Sequence, residues 1–247
     1  MKIIFSPSKE MRDSEILSLS SSSSLFFKEK NNKLLKKLQS FSKEEIAEIM
    51  KIKSKLLDET FKNIKNFDSL KEISAFSLYN GVSFKNLELE KYDKNNIEYA
   101  ENTLLILSAF YGVLHPSNFV KKYRLDMTMK LNSSSLYSFW NNDVTNYITN
   151  LLQKDSDKIL INLASGEYSK MIERKNFLYR IIDIDFKENK NGKFQSVSSF
   201  AKQGRGSMLN YLIKNKINDV EKIKEFSELG YSINNELSDE DKFIFTR

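Results

Sequence analysis

The sequence contains no cysteine and a single histidine, His115. Without cysteine the chain has no disulfide framework and no thiolate ligand for a metal ion. One histidine excludes a histidine cluster, and no group of carboxylates has the spacing of metal ligands. We therefore expect no metal site, no direct chelation of iron and no cofactor. A catalytic triad based on histidine would have to use His115 itself.

Long apolar runs are also missing. No stretch approaches the ~20 apolar residues that a membrane-spanning helix needs. The first residues read MKIIFSPSKEMRD, in which charges return too soon for a signal peptide. We therefore expect a cytoplasmic protein. Its 247 residues are 40% hydrophobic and 12% aromatic, which is enough for one large or two small globular domains.

The positive charge is concentrated in one part of the chain. The net charge is +6, but residues 121–216 alone carry 17 basic and 9 acidic side chains. Residues 217–247 carry 4 basic and 8 acidic side chains. A local surplus of cations predicts a polyanionic partner such as nucleic acid. The alternative is a lysine-rich surface that is simply solvated.

The segment 104–127, LLILSAFYGVLHPSNFVKKYRLDM, predicts two helical pieces joined by a turn. Gly112 tolerates backbone angles that other residues resist, and Pro116 suits the first position of a second helix. Such a turn is typical of half a helix-hairpin-helix element, whose free amides bind a phosphate. The alternative is a buried helix with a glycine C-cap, followed by an ordinary turn. The predicted phosphate-binding residues are Tyr111, Gly112, Val113, Leu114, His115, Lys121, Lys122 and Arg124.

Polar side chains follow two predicted strands where each strand ends. Residues 2–5 (KIIF) precede Ser6-Pro7-Ser8-Lys9, and residues 159–163 (ILINL) precede a second polar loop. If the strands are neighbours in an open sheet, their loops meet at the edge where ligands bind. A surface turn is the alternative for the first loop. The side chains that would join Lys9 at this edge are Asn162, Ser165, Glu167, Tyr168 and Lys170.

A second phosphate-like feature is the segment 201–206, AKQGRG, which we predict to open a helix over 205–216. Lys202 and Arg205 would flank bare amides at the start of that helix. The remaining predicted elements are helices within 26–66, 142–152 and 217–230, strands at 123–127, 179–186 and 243–245, a hairpin turn at Asn191-Gly192 with 193–200 returning, and a serine-rich loop at 18–24.

Taken together, eight motifs resemble the YaaA peroxide-stress family of bacterial proteins, of the UPF0246 type. They occur in the order that the family has and cover nearly the whole chain. They are SPSK (6–9), YNGVSF (79–84), LSAFYGVLHP (107–116), YRLDM (123–127), LYSFW (136–140), INLASGEY (161–168), NGKF (191–194) and FAKQGRG (200–206).

The resemblance implies a role in resistance to hydrogen peroxide and a single compact α+β domain over 1–247. It implies a central mixed sheet flanked by helices, with a helix-hairpin-helix-like element at about 98–123 beside a positive cleft. The implied partner is duplex DNA, bound without sequence preference, and the expected state is a monomer. His115 stands where the family commonly has arginine, and Lys121 and Lys122 would replace it. The implied cleft residues are Lys9, Tyr123, Arg124, Ser165, Glu167, Lys170, Lys202 and Arg205.

Two functional hypotheses follow. The first is a DNA-binding protein of the oxidative-stress response that holds backbone phosphates. The second is an enzyme acting on a nucleotide, a nucleoside or a damaged base, because phosphate binding alone has no use for Glu167. A glutamate among cations is a candidate general acid or base, and Lys9 or Lys202 a candidate Schiff-base nucleophile. The alternative role for Glu167 is a salt bridge that holds the cleft open.

Overall fold

The computed structural model describes residues 1–17, 19, 24–131 and 133–247, so most of the predicted serine-rich loop 18–24 lies outside the described residues. The strands are β1 (Lys2–Phe5), β2 (Ile73–Ser74), β3 (Leu104–Ser108), β4 (Gly112–Leu114), β5 (Phe119–Val120), β6 (Lys130–Leu131), β7 (Ser134–Ser135), β8 (Ile159–Asn162), β9 (Arg180–Lys190), β10 (Lys193–Gln195), β11 (Ser232–Ile233) and β12 (Lys242–Thr246). The α-helices are α1 (Lys28–Ser40), α2 (Lys43–Met50), α3 (Ser54–Lys65), α4 (Ala75–Leu78), α5 (Lys94–Thr103), α6 (Leu136–Gln153), α7 (Gly166–Ser169), α8 (Ser198–Asn215) and α9 (Val220–Ile223).

A mixed sheet forms the centre of the fold, with the strand order β11-β12-β9-β8-β1-β3-β4 and β10 paired to β9. β1 pairs in parallel with both β3 and β8, and β8 continues in parallel to β9. Every residue of β3 is buried, as are the last three residues of β1 and of β8. Consecutive buried residues require cover on both faces of a sheet. The α+β class and the strands predicted at 2–5, 159–163 and 179–186 are therefore confirmed.

The predicted helical region 26–66 is also confirmed. It forms α1, α2 and α3, and α2 begins with a capping box between Ser42 and Glu45. α2 and α3 contact each other and are joined by three residues, of which Lys51 has a φ of +52°. Lys51 and Lys53 are exposed in that turn while Ile52 is buried. The fold therefore presents a two-helix hairpin with cations at its tip.

The predicted helix-hairpin-helix element at about 98–123 is wrong. Only α5 is helical there, and residues 104–114 form the antiparallel β3–β4 pair. The hydroxyl of Ser108 accepts the amide hydrogens of Phe110 and Tyr111, at 3.3 and 2.9 Å. The Nε1 atom of Trp140 donates to the Ala109 carbonyl at 2.8 Å. The amide hydrogens of this turn are therefore bonded to Ser108, and Trp140 covers it. The apolar residues on either side of the turn belong to a buried part of the sheet.

Five further predictions need correction. Residues 123–127 form no strand, and the predicted helix 217–230 is reduced to α9. α8 begins at Ser198, seven residues earlier than predicted, so the strand that returns after Asn191-Gly192 ends at Gln195. The predicted helix 142–152 exists but starts at Leu136, because Ser135 caps it by accepting the Tyr137 amide hydrogen. No helix in the described parts of the chain combines the length and the hydropathy that crossing a membrane demands.

Candidate functional site

A cavity of about 350 Å³ lies at the carboxyl ends of β1 and β8. This is the edge of an open sheet at which ligands commonly bind. Because β1 and β8 are parallel neighbours, the loops that follow them meet there, as the sequence predicted. The loop that follows β5 and one side of α8 complete the wall. The polar side chains that line the cavity include Ser6, Ser8, Lys9, Tyr123, Arg124, Asp126, Ser165, Glu167, Tyr168, Lys202 and Arg205.

Serine hydroxyls fix the loops around this cavity. Ser6 Oγ accepts the Ser165 amide hydrogen at 2.8 Å, which ties the end of β1 to the end of β8. Ser8 Oγ accepts the amide hydrogens of Asn80 and Gly81, at 3.1 and 3.0 Å. A Cβ on Gly81 would lie 2.6 Å from the Ser8 Cβ, so only glycine permits this approach. These hydrogen bonds and this close approach hold the SPSK and YNGV motifs together at the edge of the cavity.

The cations of the AKQGRG motif reach the cavity from within α8. Lys202 lies in the second turn of that helix, so the predicted site at a helix start is wrong. The two glycines instead allow close packing. A Cβ on Gly204 would lie 2.5 Å from the Phe186 ring, and a Cβ on Gly206 only 2.1 Å from the Ser83 carbonyl oxygen. Close packing of α8 against β9 and residues 83–86 therefore positions Lys202 and Arg205.

Two carboxylates share the cavity and differ in their surroundings. Lys9 Nζ lies 2.6 Å from Asp126 Oδ2, which neutralises the Asp126 carboxylate. Glu167 Oε1 accepts the Met127 amide hydrogen at 3.1 Å. Burial, followed by the charge of Asp126, raises the pKa of Glu167, although the Met127 amide and Lys9 oppose that shift. A carboxyl group whose pKa is raised by burial is a candidate general acid.

Two arginines in the cavity wall have unsatisfied nitrogen atoms. The Nε atoms of Arg124 and Arg205 are buried and have no hydrogen-bond partner among the described residues. Arg205 contacts one acid, with its Nη2 atom 3.4 Å from Asp185 Oδ1. Burial lowers the pKa of Arg205 from its ordinary value, although Asp185 partly restores it. Buried donors are normally paired, so these two guanidinium groups are suited to an anionic ligand.

Tyrosines form an inert part of the wall. The hydroxyl of Tyr123 lies 3.0 Å from that of Tyr79 and accepts a hydrogen bond from Ser108 at 2.8 Å. Burial raises the pKa of Tyr123 to about 12. Burial also raises the pKa of Tyr168 far above its usual range. Neither phenol ionises near neutral pH, so their role here is to shape the cavity.

The remaining predicted site residues do not line this cavity. Tyr111, Gly112, Val113 and Leu114 are buried in the β3–β4 pair, where they present no surface to DNA. The Nε2 atom of His115 lies 2.8 Å from the Tyr147 hydroxyl, and the Lys121 ammonium donates to the Asp68 carbonyl. Lys122 pairs with Asp13. Lys170, at the end of α7, and Asn162, which donates to Asp183, do not line the cavity.

The structure also shows site residues that the sequence predictions missed. Asp126 lies within the YRLDM motif and was not predicted as a site residue, although it pairs with Lys9 and its charge helps to raise the pKa of Glu167. The polar residues on one face of α3 were missed as well. A second cavity of about 160 Å³ adjoins the first and is lined by one side of that helix. The signal was the run Leu56, Glu59, Thr60 and Asn63, whose spacing places polar groups on one helical face.

Replacing Glu167 with glutamine is expected to change how stability depends on pH. The raised pKa of Glu167 means that folding favours its protonated form. The wild type should therefore lose free energy of unfolding, relative to the variant, as the pH rises from the unfolded pKa near 4.5 through the higher folded pKa. Glutamine keeps the oxygen that accepts the Met127 amide hydrogen. Urea midpoints of both proteins at several pH values measure the difference, and a gap that stays constant with pH contradicts it.

Comparison with known proteins places the chain in a family. Residues 1–237 match the family described as "Peroxide stress protein YaaA". A UPF0246 protein of Fusobacterium nucleatum is 50% identical over 252 residues, covering 100% of this chain and 99% of the relative. A UPF0246 protein of Francisella philomiragia is 37% identical over 254 residues, covering 100% of both chains. One of Rickettsia peacockii is 39% identical over 216 residues, or 87% of each chain. The chain therefore belongs to the YaaA family of peroxide stress proteins.

Proposed function

We propose that this peroxide stress protein binds duplex DNA through its backbone phosphates, with the cavity at the ends of β1 and β8 as the principal anion site. The observation that carries the proposal is the pair of buried Nε atoms on Arg124 and Arg205, which lack partners among the described residues. Lys202 adds a further cation to the same wall. Phosphate oxygens are strong acceptors that pair well with guanidinium groups.

The surface beside this cavity supports binding of an extended polyanion. The second cavity shares Lys9, Met11, Tyr123 and Arg124 with the first and continues to α3. The turn before α3 carries the exposed cations Lys51 and Lys53, and the first turn of α3 carries the exposed Lys55. A duplex that places one phosphate on Arg124 would bring neighbouring phosphates toward that turn. The buried residues 111–114 have no part in this proposal.

The test is a titration of duplex DNA at several salt concentrations. Lys202→Gln and Arg124→Gln should each weaken binding and together reduce the slope of log affinity against log salt by about two. Lys154→Gln is the control, because Lys154 is exposed at the end of α6, near the start of β8 and away from the cavity. Thermal melting would show that the variants are folded. A wild type that fails to bind at about 50 mM salt and micromolar protein, or variants that bind like the control, would contradict DNA binding.

A second candidate function is catalysis on a nucleotide or a damaged base in the same cavity. The specific observation in its favour is the raised pKa of Glu167 beside the ion-paired Asp126, which suits a general acid. Lys9 is engaged by Asp126, so Lys202 is the better candidate for a Schiff base. Borohydride treatment with DNA that contains an abasic site should trap a covalent adduct on the wild type and none on Lys202→Gln. Absence of any adduct on the wild type would remove the Schiff-base version.

A further inference from the structure

The two adjoining cavities differ in chemistry, although they share part of their walls. The first contains Lys202 and Arg205, whereas the second combines apolar and aromatic side chains from α1, α3 and residues 67 and 110 with Glu59 and with Lys122, which is paired with Asp13. Arg124 and Tyr123 line both. A ligand that occupied both cavities would need an anionic group at one end and a mostly apolar group at the other, joined near Arg124.

Three aromatic side chains that pack on one another form part of the wall of the second cavity. The rings of Phe110 and Tyr123 are stacked with centroids 5.4 Å apart, and the Phe67 and Phe110 centroids lie 5.3 Å apart. All three residues line the cavity. Aromatic walls favour the flat face of a nucleobase, since every base presents such a face.

One face of α3 adds polar groups to this cavity. Leu56, Glu59, Thr60 and Asn63 are spaced i, i+3, i+4 and i+7, a spacing that normally carries an apolar stripe toward the core. Thr60 is buried, and the partly exposed Asn63 lines the cavity. An asparagine amide offers a donor and an acceptor side by side, which is the pattern that matches a base edge.

We infer that the joined cavities bind a single nucleotide unit, with its phosphate against Arg124, Arg205 and Lys202 and its base between the aromatic wall and the polar face of α3. The inference rests on the proposed function, since it names the unit of nucleic acid that this site takes. A nucleotide turned out of a duplex and a free mononucleotide share this chemistry. Glu167 in its protonated form would donate to a phosphate oxygen instead of repelling it.

The experiment is calorimetric titration of the full chain with inorganic phosphate, the four deoxynucleoside monophosphates and the four deoxynucleosides. At least one nucleotide should bind about ten-fold more tightly than phosphate or its own nucleoside. Asn63→Ala should weaken nucleotide binding by about five- to ten-fold and leave phosphate binding unchanged, because it removes only the contacts to the base. Lys202→Gln should weaken both. Asn66→Ala is the matched control, since Asn66 ends the same helix and does not line either cavity.

The outcomes separate this inference from DNA binding itself. Nucleotides that bind no more tightly than phosphate, or an Asn63→Ala variant that behaves like Asn66→Ala, would overturn the nucleotide site. Duplex binding is measured on the same proteins. If the duplex binds and no nucleotide does, the inference fails and the proposed function stands. If nucleotides bind and no duplex does, the site stands as one for free nucleotides and the proposed function fails.

Discussion

Replacing Gly206 with alanine is expected to lower the free energy of unfolding by about 2 kcal/mol. Alanine gains about 1 kcal/mol of helix propensity over glycine, but overpacking typically costs about 1–3 kcal/mol and can exceed that range. The added Cβ would lie 2.1 Å from the Ser83 carbonyl oxygen, 2.9 Å from the Ser83 carbonyl carbon and 3.0 Å from the Asn86 Cβ. Two of these three atoms belong to the backbone, so no rotation of a side chain relieves the contact, and we place the cost at the upper end.

Gly166→Ala is the matched control for that prediction. Gly166 begins α7, and a Cβ there would meet nothing within 4 Å. We expect its stability to be unchanged or slightly raised. Urea unfolding of both variants measures the difference. Equal stabilities would mean that α8 does not depend on its close approach to residue 83, which would also weaken the account of how Lys202 and Arg205 are positioned. We expect phosphate affinity to fall in Gly206→Ala only, because a displaced α8 moves both cations.

The second large effect is expected at Gly112, where alanine should cost about 2–5 kcal/mol from backbone strain and overpacking together. Gly112 has a φ of +81°, and an alanine in that region costs about 1–2 kcal/mol. The added Cβ would also lie 2.7 Å from the Phe27 ring and 2.8 Å from the Trp140 ring. Trp140 is fully buried and Phe27 nearly so, so neither ring can move away without disturbing the core.

Gly192→Ala isolates the backbone part of this cost. Gly192 has a φ of +80° and nothing within 4 Å of its would-be Cβ, so it should lose only about 1–2 kcal/mol. The comparison also distinguishes two roles for Gly112. A packing glycine predicts a much greater loss of stability than at Gly192, whereas a phosphate-binding turn predicts weaker DNA binding with a similar loss at both positions. Unfolding midpoints and duplex affinities of the two variants together decide between them.

Much of the candidate site follows from local sequence. A strand such as KIIF or ILINL is recognisable because its apolar run is short and is followed by polar, turn-forming residues. Once both strands belong to one parallel sheet, Lys9, Ser165 and Glu167 must meet at its edge. The same local reasoning failed at 104–114, where an apolar run of that length is equally compatible with a helix or with a buried strand. The amide donors that a phosphate site needs are taken there by Ser108.

The sequence by itself determined the strands whose ends build the cavity, the helices of 26–66 and the cations that surround the site, whereas the α+β class was implied by the family resemblance. Those features depend on contacts between near neighbours in the chain. Only the tertiary structure decided that Gly204 and Gly206 serve packing, that Asp126 neutralises Lys9, and that α3 contributes a polar face to a second cavity. The reason is physical. The local sequence around a glycine is the same whether the glycine packs against a neighbour or binds a ligand, and the same holds for a carboxylate or for one face of a helix. Which of these occurs is decided by contacts with atoms that are distant in sequence.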